Sequence, residues 1–230
     1  MDKNHSLVHH FLECSATRFP SKIALVHEDQ RFSYNDINKF ADNIAHWLIQ
    51  RGIQPGDRVV ILLENSLEYV TSYYGIQKTG AIAVPLNNDS STGQITAVIE
   101  DVEPFCFITS SRFERKIHAL DFNDGGVREL VINNSRSDKE KFRIEPQSFA
   151  EIITGRHNRL PSQTISPSAA AVIIYTSGSM SKPRGVVLSH TNLVANASSI
   201  IESLHLNSTD VQMNVLPFSY VFGKSQLNTH

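Results

Sequence analysis

One short stretch of this 230-residue sequence combines the three residue types that hold phosphate groups. Residues 171–190 read AVIIYTSGSMSKPRGVVLSH. Glycine lets backbone N–H groups approach a ligand, hydroxyls add short hydrogen bonds, and lysine or arginine donates while neutralising charge. All three types occur within residues 176–185. This composition predicts either an anion-binding loop or an ordinary polar turn between two strands.

Two well-known nucleotide-binding patterns are absent from this stretch. A loop of the form G-x-x-x-x-G-K-[ST] opens a helix, whereas here no lysine follows Gly185 and the β-branched Val186 and Val187 come next. No G-x-G-x-x-G pattern follows a strand, so a dinucleotide-binding fold is unsupported. Neither pattern accounts for a nucleotide site in this chain.

Apolar periodicity places the stretch within a chain of alternating strands and helices. We expect a β-hairpin in residues 23–34, and then a helix that Ser33 and Asp36 cap and Gly52 ends. Further helices are expected at 67–79, 92–101, 112–120 and 191–204, and strands at 59–63, 81–84, 105–109, 127–132, 170–176, 186–188 and 211–216. Such alternation predicts an α/β fold with a mostly parallel sheet flanked by helices.

The overall composition excludes several classes of partner. The net charge is -2, from 21 Lys and Arg against 23 Asp and Glu, so nothing draws the chain to nucleic acid or anionic membranes. The two cysteines form neither a disulfide framework nor a zinc pattern. Charged residues interrupt the first twenty positions, and the longest apolar run is too short to span a bilayer. We therefore expect a cytoplasmic protein with no membrane span and no nucleic-acid partner.

The ten histidines predict no metal site. His9 and His10 are adjacent, so their side chains are expected to diverge on a helix, and His190 is interpreted as a cap for the following helix.

Four collinear segments carry a resemblance to a known family. TSGSMSKPRG resembles TSG[ST]TGxPKG, the phosphate-binding signature of the AMP-forming adenylating superfamily. That superfamily comprises acyl-CoA synthetases, nonribosomal peptide synthetase adenylation domains and luciferases. RFSYNDINKFADNIAHWL resembles its first core motif, IQKTGAIAVPLN its KAGxxxVPL motif, and LPFSYVFG the motif that brings an aromatic residue toward the carboxylate substrate. The chain is identified as similar to the N-terminal part of this superfamily.

The resemblance implies a partial N-terminal domain of the AMP-binding enzyme fold. Residues 1–160 are expected to form a first α/β subdomain, and 161–230 the start of a further α/β segment that carries the phosphate-binding loop. The polar residues 156–168 are the predicted linker. The C-terminal half of the family fold is expected to be absent.

The same resemblance implies an activity. A complete enzyme of this type is a ligase that lets a carboxylate attack the α-phosphate of Mg-ATP, releases pyrophosphate and holds an acyl-adenylate, as in fatty acid metabolism. The acyl group then passes to coenzyme A or to the phosphopantetheine of an acyl carrier protein. Tyr220 stands where many members carry His, so it is expected to line the acyl pocket. The ATP phosphates are assigned to Thr176, Ser177, Gly178, Ser179, Met180, Ser181, Lys182 and Arg184.

Three departures from the family signature fall in this loop. Ser181 replaces a glycine and Arg184 a lysine, changes that keep a small side chain and a positive charge. Met180 stands where the family has a hydroxyl residue, and a thioether cannot donate to a phosphate oxygen. At that position only the backbone N–H would bind the ligand.

Some motifs of the superfamily are not found in residues 1–230. The adenine and magnesium motif, the ribose motif and the adenylation lysine are missing, so neither a catalytic residue nor a Mg²⁺ ligand is assigned. Two hypotheses stay open. The chain is either a fragment of a carboxylate–AMP ligase, whose partner would be a separately encoded C-terminal half, or a non-catalytic relic or interaction module with the same fold.

Two further questions stay open on the sequence alone. Phe218, Tyr220 and Phe222 alternate, so Tyr220 could instead belong to one face of a core strand. The sequence does not reveal which carboxylate is used, nor whether residues 1–230 alone are an enzyme.

Overall fold

The structure is a computed structural model that describes residues 6–120, 122, 126–155, 163–176 and 184–229. Its helices are α1 His9–Arg18, α2 Tyr34–Gln50, α3 Leu67–Thr79, α4 Thr92–Val102, α5 Glu114–His118, α6 Phe149–Thr154, α7 His190–Ser203 and α8 Val221–Thr229. Its strands are β1 Ile23–His27, β2 Gln30–Ser33, β3 Arg58–Leu62, β4 Ile82–Pro85, β5 Cys106–Ser110, β6 Glu129–Asn133, β7 Pro146–Ser148, β8 Ala170–Thr176 and β9 Arg184–Ser189. None of the helices in these ranges is long and apolar enough to cross a membrane.

A seven-stranded sheet organises the chain in the order β7-β6-β5-β3-β4-β8-β9. Every neighbouring pair from β7 to β8 is parallel, and β9 runs antiparallel to β8. β1 and β2 form a separate antiparallel hairpin. The prediction of an α/β fold with a mostly parallel sheet is confirmed.

Helices cover both faces of this sheet because alternate side chains of its strands point to opposite sides. Val59 and Ile61 of β3 join a core that includes residues of α1, α2, α3, α6 and α7. Val60 and Leu62, on the other face, join a second core with residues of α4 and α5. A central strand buried on both faces explains the unbroken apolar run that the sequence shows there.

Helices α2 and α3 pack closely on the first face. The predicted capping box at the start of α2 is present: the Ser33 hydroxyl accepts from the Asp36 N–H, and the Asp36 carboxylate accepts from the Ser33 N–H. Gly75 makes the close approach possible, because a Cβ there would lie 2.8 Å from Cγ2 of Ile44. The close packing on α2 therefore holds α3 in place, and its other sides are available to contact further segments.

The predicted strand at 211–216 is wrong. These residues belong to no strand, and Val211, Met213 and Val215 are 92%, 84% and 77% exposed. A strand needs a neighbour with which to exchange backbone hydrogen bonds, and no described strand pairs with this segment. Apolar alternation in the sequence does not indicate whether such a neighbouring strand is present.

The division of the chain at residue 160 stays a prediction. Residues 156–162 of the expected linker lie outside the described residues. β8 and β9, which follow it, belong to the same sheet as β3 to β7.

Candidate nucleotide and carboxylate site

Two neighbouring strands frame the segment that the sequence assigns to phosphate binding. Thr176, the last residue of β8, pairs with Arg184, the first residue of β9, so residues 177–183 connect two antiparallel strands. The strands predicted on either side are confirmed, and Arg184 is exposed. The remaining assigned residues lie outside the described part of the chain, namely Ser177, Gly178, Ser179, Met180, Ser181 and Lys182.

Gly185 is required by packing at the base of this connection. A Cβ at this position would lie 2.8 Å from Cγ2 of Ile173 and 3.1 Å from Cζ of Tyr175. The Tyr175 ring packs over Gly185, and the Tyr175 hydroxyl donates to the Asp101 carboxylate on α4. Burial and this carboxylate raise the pKa of Tyr175, so the hydroxyl keeps its proton at neutral pH. The strand end that leads into the loop is thus tied to α4.

β8 ends at an edge of the sheet where other polar residues gather. β3, β4, β5 and β8 are parallel, so their carboxyl ends share this edge. After β3, Glu64 accepts from Ser110 at 3.1 Å and from Arg112 at 3.3 Å. Open α/β sheets bind their ligands at this edge.

Tyr220 reaches the same edge through Asn87. The Asn87 side-chain amide donates to the Tyr220 hydroxyl at 2.7 Å, and Asn87 lies two residues beyond the end of β4. Tyr220 is 47% exposed and sits in a turn, where its N–H donates to the carbonyl of Pro217 at 3.0 Å. The alternative role of Tyr220 as a core strand residue is therefore wrong. Asn87 itself was missed, although it directly follows the VPL of a quoted motif.

Asn65 and Tyr69 fix the segment that leads into this turn. Asn65 donates to the carbonyl of Leu216 at 2.8 Å and accepts from the N–H of Phe218 at 2.7 Å. The Tyr69 hydroxyl donates to the carbonyl of Phe218 at 2.9 Å, and the Tyr69 and Phe218 rings lie 5.2 Å apart. The start of α3 thus holds the turn that presents Tyr220.

The sequence profile of the AMP-binding enzyme family matches residues 12–229. The chain belongs to this family. Its curated relatives include the dimodular nonribosomal peptide synthase of Bacillus subtilis (strain 168), 31% identical over 198 residues, and tyrocidine synthase 1 of Brevibacillus parabrevis, 27% identical over 196 residues. These alignments cover 86% and 85% of this chain but only 8% and 16% of the two relatives.

Solved structures share the fold of this AMP-binding chain. A putative long-chain-fatty-acid CoA ligase from Rhodopseudomonas palustris CGA009 superposes with a TM-score of 0.87 at 23% identity. The N-terminal domain of FACL13 from Mycobacterium tuberculosis gives a TM-score of 0.80 at 24% identity. Each alignment covers 97% of this chain and 54% of the solved one, so the chain spans about half their length.

Lys224 is a buried cation that sequence reasoning missed. It is 1% exposed, its Nζ donates to the Tyr69 hydroxyl at 2.9 Å, and it lies 4.5 Å from the centre of the Tyr73 ring. No carboxylate of the described residues forms an ion pair with it. Burial lowers the pKa of Lys224 to about 7.

His9 and His10 lie together, so the prediction that they diverge is wrong. Their ring centres are 4.8 Å apart, and their ligand atoms and those of Glu13 all lie within 4.8 Å of one another. Imidazole rings on adjacent helical positions can turn toward each other although their Cα–Cβ bonds diverge. Glu13 is already paired with the ammonium of Lys78 at 2.7 Å, so this cluster supports no metal assignment.

His190 has a different role from the expected cap. Ser189 is the N-cap of α7 and forms a capping box with Asn192. His190 is fully buried, and its Nδ1 accepts from the N–H of Val8 at 3.2 Å, which links the start of α7 to the segment before α1. Burial is the main cause that lowers the pKa of His190 to about 4.

Proposed function

We propose that this chain is the N-terminal part of an AMP-forming carboxylate ligase. In this role residues 176–184 bind the phosphates of ATP, and Tyr220 lines the pocket for the carboxylate. The contact between Asn87 and Tyr220 carries the proposal, because it brings the substrate motif to the sheet edge from which the phosphate loop emerges. Family membership and the named CoA ligases and nonribosomal peptide synthases support this ligase rather than a non-catalytic relic.

The proposed reaction is a displacement at phosphorus. A carboxylate oxygen attacks the α-phosphorus of ATP, an acyl–O–P bond forms, and the bond to pyrophosphate breaks. The hydroxyls of Thr176, Ser177 and Ser179 and the backbone N–H groups of the loop would donate to phosphate oxygens. Lys182 and Arg184 would neutralise the charge of the phosphate chain. Mg²⁺ would shield the phosphates when bound, with its ligands outside residues 1–230.

The types of relative support two classes of acyl acceptor. Those named CoA ligases support coenzyme A, and those named nonribosomal peptide synthases support the phosphopantetheine of a carrier protein. A separately encoded C-terminal half as partner, a place in fatty acid metabolism and a cytoplasmic location stay predictions.

ATP binding by residues 1–230 tests the phosphate assignment directly. Replacing both Lys182 and Arg184 by alanine removes two cations from the loop, so the Kd for ATP in a calorimetric titration should rise at least about tenfold. Lys139→Ala is the matched control, because Lys139 is an exposed cation paired with Glu145 in another part of the chain. Equal affinities for the double variant and the control would contradict the phosphate assignment.

A further inference from the structure

Lys224 occupies an unusual environment for a cation. Its amine has one hydrogen-bond acceptor among the described residues, the Tyr69 hydroxyl, and lies 4.5 Å from the centre of the Tyr73 ring. An ammonium group has three donors, and a buried charge without a carboxylate is costly. The proposed reaction uses no group at this position.

A chain of polar contacts connects the Lys224 amine to the turn at residues 217–220, which presents Tyr220. Lys224 donates to the Tyr69 oxygen, and Tyr69 donates its single hydroxyl proton to the carbonyl of Phe218. The backbone N–H of Lys224 also donates to the backbone carbonyl of Tyr220 at 3.0 Å. Because the amine occupies a lone pair of the Tyr69 oxygen, the hydroxyl proton is left to point at Phe218.

The turn at residues 217–220 packs closely on the first turn of α8. A Cβ on Gly223 would overlap the carbonyl group of Pro217 and would lie 3.1 Å from the carbonyl oxygen of Leu216, so the backbone of the turn rests directly on the helix. A displacement of Lys224 would therefore move the turn at 217–220 and with it the Tyr220 side chain.

We propose that Lys224 is a positioning residue that holds Tyr220 at the carboxylate site through Tyr69, and that its protonation state controls how firmly it does so. The assignment of Tyr220 to the substrate rests on the proposed function, whereas the link from Lys224 to the turn rests on contacts alone. Protonation places an uncompensated charge in the core, which favours local opening of the turn and α8, where the ammonium reaches water.

The direction of the pH effect follows from linkage. The pKa of Lys224 is about 7 in the closed state and returns toward its ordinary value of 10.5 in an opened state. The opened state then binds more protons between these two values, so the closed turn becomes more stable as pH rises from about 7 to 10.5, and the effect is constant below 7. Among the described residues, the titratable groups that face the amine are Tyr69 and Tyr73 of α3, whose pKa values burial raises. Both stay neutral across the lower part of this range.

Hydrogen exchange of the amides at 218–224 measures this opening without any need for ATP. After correction for the intrinsic exchange rate, their protection should increase about tenfold between pH 7 and pH 8.5. In Lys224→Met, which keeps a long apolar side chain but cannot titrate, the protection should not depend on pH. Lys139→Met is the control and should behave as the wild type. Wild-type protection without this pH dependence, or the same dependence in Lys224→Met, would overturn the proposal.

Two further measurements separate this proposal from its alternatives. The Nζ resonance of Lys224 can be titrated by NMR in the unaltered chain, and a midpoint near 10 would also overturn the proposal. Tyr69→Phe removes the link but keeps the ring, and should lower the protection of the turn at every pH. If these results hold while Tyr220→Ala leaves carboxylate use unchanged in a chain that carries the remaining family motifs, Lys224 positions the turn and only the substrate role of Tyr220 fails.

Discussion

The side-chain amide of Asn87 and the hydroxyl of Tyr220 are hydrogen-bonded at 2.7 Å across 133 positions of sequence. The bond joins the segment after β4, where one family-like motif ends, to the turn before α8, which lies within another of these motifs. Tyr220 is half-exposed, so this bond and the turn geometry decide where its ring lies.

A double-mutant cycle should detect this bond. Asn87→Ala and Tyr220→Phe each remove one partner, and the coupling energy in urea unfolding should be about 0.5–1.5 kcal/mol. Thr154→Ala provides the control, because the partners of the Thr154 hydroxyl among the described residues are carbonyls of its own helix. Its effect should add to that of Asn87→Ala within about 0.5 kcal/mol. A coupling of zero between Asn87 and Tyr220 would show that the bond does not persist in solution.

Gly185→Ala should destabilise the chain through steric overlap. The added methyl would lie 2.8 Å from Ile173 and within 3.4 Å of the Tyr175 ring, so we expect a loss of about 1–3 kcal/mol in the free energy of unfolding. Gly93→Ala is the matched control, since it lies in α4 with no atom within 4 Å and should be neutral or slightly stabilising. Adding Ile173→Ala should reduce the cost of Gly185→Ala. Equal stability of the two glycine variants would contradict the close approach.

Acid should weaken the fold through His9 and His190. Burial is the main cause that lowers their pKa values, to about 3 and about 4 from an ordinary 6.5. The unfolded chain therefore binds more protons below pH 6.5, and stability is full above that value and falls as pH drops toward 4. Each histidine should account for about 2 kcal/mol of the loss between pH 7 and pH 5.

Unfolding curves of His9→Phe and His190→Asn at the two pH values separate these contributions. Each variant should lose less stability on acidification than the wild type, whatever its stability at pH 7. If both variants retained the full pH dependence, other groups would be responsible for the acid sensitivity.

Restoring a hydroxyl at position 180 should strengthen ATP binding. Met180→Thr would add a hydroxyl donor to the proposed phosphate-binding segment, and a hydrogen bond to a charged group contributes about 1.5–3 kcal/mol, or about tenfold or more in Kd. Arg184→Lys also restores a family residue but keeps the charge, so it should change the affinity much less. An unchanged Kd in Met180→Thr would indicate that the backbone N–H alone serves this position.

Residues 1–230 alone should not form acyl-adenylate at a useful rate. The proposed phosphate-binding residues 176–184 would supply only part of the charge stabilisation, and loss of one such stabiliser costs about 10²–10³ in rate. Pyrophosphate exchange over a panel of carboxylates measures this, with a full-length enzyme of the family as the positive control. Robust exchange by the 230-residue chain would place the catalytic groups within it.

Local signals in the sequence sufficed to predict most of the sheet and its helices. The capping box of Ser33 and Asp36 fixed the start of α2, and a Gly80 C-cap with left-handed backbone ends α3 where periodicity stopped. The errors arise from contacts between distant residues. The segment 211–216 has the apolar alternation of a strand but no partner among the described strands, and Lys224 looks like a surface residue until Tyr69 and Tyr73 of α3 enclose it.

The candidate site likewise combines a segment that the sequence predicts with contacts that the sequence does not predict. The Gly, Ser and Lys content of residues 176–185 and their likeness to a family signature predict a phosphate-binding segment, because both signals lie in consecutive residues, and this assignment stays a prediction. Asn87 and Asn65 act on Tyr220 and its turn from more than 130 positions away, and no pattern in the sequence links them. Distances of this kind require the folded chain.

β9 gives the sheet an open side within the described part of the chain. It pairs only with β8 there, and its neighbouring Val186 and Val187 are 49% and 58% exposed. One row of backbone donors and acceptors on β9 is thus free to form hydrogen bonds with another strand. Burial of the exposed valines would favour such an addition. The sheet can therefore be extended at β9. An added strand from further along the same polypeptide would continue the fold, whereas a strand from a second molecule would start a polymer.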